Sequence, residues 1–280
     1  MISVNKILVI LIALFANASI TFGQNSFESQ FERAEKLYGE EKYFDAVTEF
    51  KRLLYFDESS NYDFKANLLI GLCYKKGGKF SEAIEYFSLA KLNSKSNQEY
   101  FESSIEIIKV NILRRTTGRT FALLDTLAND ARFVNKTEEI NYWRGWAYIF
   151  SDDWESAAST FSKYQDGQRL ALLCDSVNSE LYNPKLAKYL SIIPGAGQFY
   201  TGEYVSGFIS IGWNVLWGYL TIDAFIEDRI LDGVLIGSLL WWRFYSGNIQ
   251  NAEKFAFEKN LEITNTALNF LQQKYIGEKP

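Results

Sequence analysis

Histidine is absent from this 280-residue chain, and proline (three), cysteine (two) and methionine (one) are scarce. Without imidazole, Ser–His–Asp and Cys–His nucleophilic schemes, histidine acid–base work and the usual zinc sites are excluded. Two cysteines are too few for a disulfide framework. Cys73, in L-C-Y, and Cys174, in L-L-C-D, read as buried free thiols, with one disulfide between them as the alternative. The scarcity of proline leaves long helices uninterrupted. A formal net charge of −5 gives a nucleic-acid partner no electrostatic support. What the chain does have is aromatic side chains, 16 % of its residues, which have to be packed or placed in an apolar medium.

The chain changes character at Pro194–Gly202, which reads P-G-A-G-Q-F-Y-T-G. Before it lie charged, amphipathic, helix-patterned segments. After it, Tyr204–Ile222 is a run without charge, long enough as a helix to cross a hydrocarbon core. A Glu-Asp-Arg turn at 227–229 leads to a second apolar run, Ile230 to about Ile249. The chemistry of the short motif suits an entrance. Pro194 ends a helix arriving through Lys185–Ile193, Gly195 and Gly197 permit positive φ, and Phe199 and Tyr200 suit a headgroup layer. Gln198 is placed to satisfy backbone groups that the turn leaves open.

The motif, with Gly207 five residues on, resembles the P-G-x-G-Q-x-Y-x-G entry of small bacterial two-span membrane domains. It is also similar to the G-x-H-x-F-Y-x-G motif of the wider two-transmembrane domain family. Gly195, Phe199, Tyr200 and Gly202 fall on that pattern, while Gly197 stands where that family has histidine, so no role of that histidine carries over. Gly247-Asn248-Ile249, then Asn251-Ala252 and Asn260, resemble the exit of the same domains. The resemblance spans residues 184–260 and implies a membrane hairpin, with no chemistry attached.

Upstream, Ala34, Leu37, Tyr43, Ala46, Phe50 and Leu53 form one pattern. Gly71, Tyr74, Phe80, Ala83, Phe87 and Ala90 repeat it 37 residues later, and Gly145, Tyr148, Trp154, Ala157, Phe161 and Tyr164 after twice that interval. This resembles the tetratricopeptide repeat and implies paired antiparallel helices, with small residues where they touch and a groove that holds a protein or peptide. Ala46, Ala83, Ala157, Gly71 and Gly145 are the expected close contacts, with Tyr74 and Tyr148 beside them. Residues 98–133 leave room for a degenerate copy with Gly118 near its turn. A helix at about Gly167 to Tyr182 is expected to cover the end of the stack.

The expected fold is therefore all-α: residues 1–23 a secretory signal (an uncleaved anchor being the alternative), 24–183 a tetratricopeptide-like solenoid of about four repeats, 184–260 a transmembrane hairpin, and 261–280 an amphipathic helical tail. Lys185 and Lys188 are expected to face headgroups from a short surface helix. An exported repeat domain puts the 227–229 turn in the cytoplasm, against the positive-inside expectation from Lys185, Lys188, Lys254 and Lys259; a shallow, re-entrant hairpin reconciles the two signals.

Within the hairpin, Asp223, Asp232 and Arg243 are the polar exceptions. Arg243 either pairs with Asp223 or Asp232 or snorkels from the apolar run. Gly233 and Gly237 form G-x-x-x-G, which allows contact with the first span, and Trp241, Trp242 and Tyr245 resemble an interfacial belt. Nothing points to catalytic, cofactor-binding or metal-ligating residues. The acidic pairs Glu40-Glu41, Glu138-Glu139 and Asp152-Asp153 read as helix-start charges rather than dyads. G-A-G-Q-F-Y fails as a nucleotide loop, having no preceding strand and no Lys-Ser/Thr pair. The expected function is a membrane-anchored, non-enzymatic scaffold of the bacterial inner membrane, its repeats periplasmic and its partners a protein or peptide and the lipid bilayer. The alternative is a subunit of insertion, secretion or transport machinery whose hairpin is the working part.

Overall fold

The computed structural model describes residues 27–164 and 167–280; the expected signal segment, 1–23, lies outside the described residues. The described residues are helical, with no strand among them, and divide into two compact units. The first runs up to Tyr164 and takes in Glu278–Pro280; the second is Gln165–Gly277.

Four helical hairpins make up the first unit. They are α1 (27–39) with α2 (Tyr43–Phe56), α3 (Asp63–Lys76) with α4 (Phe80–Leu92), α5 (Asn97–Leu113) with α6 (Thr117–Ala128), and α7 (Thr137–Phe150) with α8 (Trp154–Phe161). Each hairpin also packs on the next, through α2 and α3, α4 and α5, and α6 and α7. The core is therefore continuous and local. Phe31, Ala34, Ala46, Phe50, Leu53, Ile70 and Cys73 fill its first layer, and Phe64, Leu68, Ala83, Phe87, Ile107 and Val110 the next.

The turns carry the period more strictly than the side chains do. Glu41, Gly78, Arg115 and Asp152 all have positive φ, between 55° and 71°, and they stand 37 residues apart. After each, a backbone N–H closes the helix end five residues back: Lys42 to Leu37, Lys79 to Tyr74, Thr116 to Asn111 and Asp153 to Tyr148, at 2.9–3.0 Å. This is a helix C-cap with one left-handed residue. The degenerate third copy is thus in register, and its turn residue is Arg115. Gly118, expected near that turn, lies just beyond it as the second residue of α6.

The second unit contains α9 (Gln168–Glu180), α10 (Pro184–Leu190), α11 (Ala196–Tyr200), α12 (Tyr204–Ile226) and a long return helix. The return begins as α13 (Ile230–Leu235), passes a wider π-helical turn at Ile236–Trp241 and continues as α14 (Trp242–Gln273). The second apolar run and the tail expected beyond it are therefore consecutive parts of one helical path. Helix α9, expected to close the repeat stack, falls in this unit and packs on α14. The same capped turn recurs before α12 and before α13. Gly202 (φ 77°) precedes a bond from Glu203 N–H to the Gln198 carbonyl, and Asp228 (φ 58°) one from Arg229 N–H to the Ala224 carbonyl, both 2.8 Å.

Candidate functional site

Two constructions are candidates: the face of the first unit made by α3, α5 and α7, and the knot around Pro194–Gly207 in the second.

The repeats are held at glycine notches. A β-carbon on Gly71 would stand 2.5 Å from the Phe87 ring, and one on Gly145 would stand 2.4 Å from the Phe161 ring. Both rings are fully buried, as are Ala46, Ala83 and Ala157. The phenyl face of each second helix thus sits directly on the backbone of the first, a distance only glycine allows. Tyr74 stacks on Tyr86 with its hydroxyl accepting from Lys51 at 3.2 Å, and Tyr148 packs on Phe121.

Across the first helices runs an ion cluster that periodicity alone did not single out. Glu106, on α5, accepts from Lys75 of α3 at 2.9 Å and from Lys109, one turn on, at 2.7 Å. The three side chains are only 10–13 % exposed. Lys109 also lies 4.4 Å from the ring centroid of Trp143 on α7, a cation–π contact in a dry place. Burial opposes the charge on Glu106, but the two ammonium groups outweigh it and hold its pKa below the usual range. For Lys109, burial is likewise outweighed by carboxylates and the pKa is raised, whereas for Lys75 burial wins and lowers it. The sequence signal was present as Glu-x-x-Lys on α5, but its partner on α3 lies 31 residues away.

In the second unit the motif residues converge. Gly195 has φ 88°, so it makes the expected left-handed turn, with its α-carbon against α12: a β-carbon there would meet the Gly207 carbonyl at 2.7 Å. Gly197 is needed for a different reason than the one expected. It lies in α11, and a β-carbon would collide with Ser191 Oγ, the Ala187 carbonyl and Ala252. It is a three-way close approach of α10, α11 and α14. Phe199 fills the notch at Gly207, where a β-carbon would sit 2.4 Å from its ring. The ring packs on Gly207 and is half-buried.

Tyr200 is likewise half-buried. Its hydroxyl accepts from Asn183 N–H at 3.0 Å and its ring meets Tyr182 edge-on, beside the buried Ala187–Ala252–Ala256 cluster. Gln198 is fully buried and donates to the Asn248 carbonyl of α14 at 2.9 Å, so it ties two helices together instead of completing its own turn. Helix α10 stops at Leu190, four residues before Pro194, and Lys188 pairs with Glu253. Asn260 grips the backbone of Tyr182 from both sides, accepting from its N–H and donating to its carbonyl, each at 2.8 Å. Entry and exit motifs are thus two halves of one joint.

Helix α12 is packed inside out relative to a water-soluble helix. Its buried positions are Gly207, Ser210, Asn214, Gly218, Thr221 and Ala224. Its large apolar side chains point outward, with Val205, Phe208, Val215, Tyr219 and Ile226 64–76 % exposed. It is the described helix long and apolar enough to cross a membrane. Gly233 and Gly237 do meet α12, against Phe225 and Thr221. Asp223 and Asp232 both pair with Arg229, at 3.0 and 3.4 Å, and Arg243 is exposed. The hairpin's cation partner is therefore the turn arginine.

No family model matches the chain, and no curated protein matches it significantly. A solved tetratricopeptide repeat protein from Parabacteroides merdae is similar at 15 % identity and TM-score 0.45, over 88 % of this chain and all of that one. That likeness is too distant to carry an argument. The all-helical repeat fold rests on the notches and turns above.

Proposed function

We propose that the chain is a non-catalytic adaptor of the bacterial inner membrane, anchored through α12 and the return helix and binding a protein or peptide on the face of α3, α5 and α7. The observation that carries this reading is the contrast along one chain. The repeat unit buries most of its large apolar side chains, with Phe44, Tyr55 and Leu92 as exposed exceptions, whereas α12 hides small and polar ones and leaves most of its large apolar ones bare. In water such a surface is an aggregation liability; in lipid it is the ordinary arrangement, with small residues at helix contacts. Local helical hairpins bury a continuous core and leave side chains of the first helices for a partner. The periplasmic placement of the repeats belongs to the same proposal and rests on the sequence of residues 1–23.

The test is crosslinking capture from native membranes with the full chain and with residues 27–164 alone. Retention of the same partner by the isolated repeats supports the adaptor. Loss of capture, with unchanged helical circular dichroism of the fragment, shifts the work to the hairpin and supports a machinery subunit.

A further inference from the structure

Glu278–Pro280 group with the repeat unit. The Glu278 carboxylate accepts from Lys109 Nζ at 2.8 Å, and the Glu278 backbone carbonyl accepts from the Tyr142 hydroxyl of α7. Lys109 thereby makes two ion pairs and a contact with the Trp143 ring.

The charge balance explains why a carboxylate belongs there. Lys75 and Lys109 share one buried carboxylate, Glu106, leaving one positive charge in a place only 10–13 % exposed. A charge so placed costs free energy unless a counter-charge meets it. Glu102, two turns back from Lys109 on the same helix, has its pKa raised by partial burial and by Glu106 and Glu99, which disfavours its charged form. Glu278 supplies the counter-charge. Its side chain is 63 % exposed while Lys109 beneath it is 10 % exposed. The donor is thus a fixed, buried ammonium, and the accepting carboxylate sits at the surface, where it can leave without unpacking the core.

We infer that the tail is an internal ligand of the repeat face, and that the external partner is an acidic peptide segment that displaces it by placing a carboxylate on Lys109 and a backbone carbonyl on Tyr142. This rests on the adaptor reading and deepens it. Occupancy by the tail would make partner binding conditional: a tethered competitor acts at high effective concentration and lowers apparent affinity until it is displaced.

The probe is a fluorescein-labelled peptide with the sequence of residues 271–280, L-Q-Q-K-Y-I-G-E-K-P, and its counterpart with glutamine for the glutamate. Binding is measured by polarisation to the purified full chain and to the chain lacking 278–280. The expected result is at least threefold tighter binding by the shortened chain, lost with the glutamine peptide and reduced by Lys109→Gln and Tyr142→Phe in the shortened background. Thermal melts check that Lys109→Gln folds, and Tyr142→Phe, which removes one hydroxyl, serves if it does not. Equal binding by full and shortened chains, or equal binding of the two peptides, overturns the inference. Should partner capture persist in that case, the adaptor reading stands without its internal ligand. Peptide competition without any captured partner would sink the adaptor reading instead.

Discussion

The glycine notch makes a quantitative claim that a single methyl can test. In Gly71→Ala the new carbon lands 2.5 Å from two carbons of the Phe87 ring, about an ångström or more inside the ~3.5–4.0 Å of an ordinary carbon contact. Phe87 is fully buried and cannot swing into solvent. Overpacking of this kind costs about 1–3 kcal/mol, while alanine in a helix interior returns about 0.8–1 kcal/mol of propensity. The expected net is a loss of up to about 2 kcal/mol. Gly118→Ala is the control: it too is in a helix, but nothing lies within 4 Å of its new carbon. It should be neutral or stabilising by up to about 1 kcal/mol. Urea and thermal unfolding of residues 27–164, followed by circular dichroism, would separate the two by roughly 1–3 kcal/mol, or several degrees in Tm. Phe87→Leu should be costly alone yet partly rescue Gly71→Ala, because the pair shares one space. If Gly71→Ala and Gly118→Ala shift Tm in the same direction, or the double variant is simply additive, the notch is not what spaces the helices.

The turns predict a swap of signs. Glu41→Gly should stabilise the repeat unit by about 0.5–1 kcal/mol, since a left-handed non-glycine residue costs ~1–2 kcal/mol and glycine gives part of that back in chain entropy; Gly78→Ala should cost a similar amount in the same denaturation assay. Acid should unfold the repeats early. Burial works against the charge of Asp57, but hydrogen bonds from Ser59, Tyr62 and Asn61 outweigh it, and Glu106 is held down by its two lysines. Both folded pKa values lie below the unfolded ones, so their stabilisation is present above the ordinary carboxylate pKa and lost as pH falls through the folded values. Melts between about pH 6 and about pH 3 should therefore decline less steeply in Asp57→Asn than in the parent; equal slopes would refute the assignment.

The fold was legible where one residue both determines and reports its surroundings. Gly71 and Gly145, with aromatic residues sixteen positions on, announced helix pairs, because only a missing side chain lets a ring approach a backbone that closely. The third repeat was harder to place. Residues 98–133 lack that glycine, and the feature the copy does share with the others, a left-handed residue at Arg115, is borne by a side chain that does not advertise it. Gly118 was the obvious candidate and is not needed for its φ. In the second unit, Gly195 behaved as its composition suggests, but Gly197 shows that glycine has two uses. One is conformational and readable from a local turn; the other is proximity, and proximity to Ser191, Ala187 and Ala252 is set by chain segments far apart in sequence.

The same distinction explains what was missed at both candidate sites. Phe199 and Tyr200 were assigned to a headgroup layer because aromatic rings near an apolar run often sit there. Their partners, Gly207 eight residues on and Asn183 seventeen back, give the half-buried rings contacts within the protein that the local sequence does not announce. The hydrogen bonds of Gln198 to Asn248 and Asn260 to Tyr182 span 50 and 78 residues, so the motifs mark Gln198, Asn248 and Asn260 without saying what each one binds. Asp223 and Asp232 needed a cation, and Arg243 was the conspicuous one inside the apolar run. Arg229 answers them instead because it lies at the left-handed turn, six residues from one and three from the other, where a long side chain reaches both without entering the hairpin. Charge in an apolar setting is met by the nearest polar geometry, and here that is the turn. Where the same logic operates in the repeats, Lys109 has no second carboxylate on its own helix within a turn's reach other than Glu106, and the chain answers it from its far end with Glu278. An answer drawn from that distance is also one that another chain can replace.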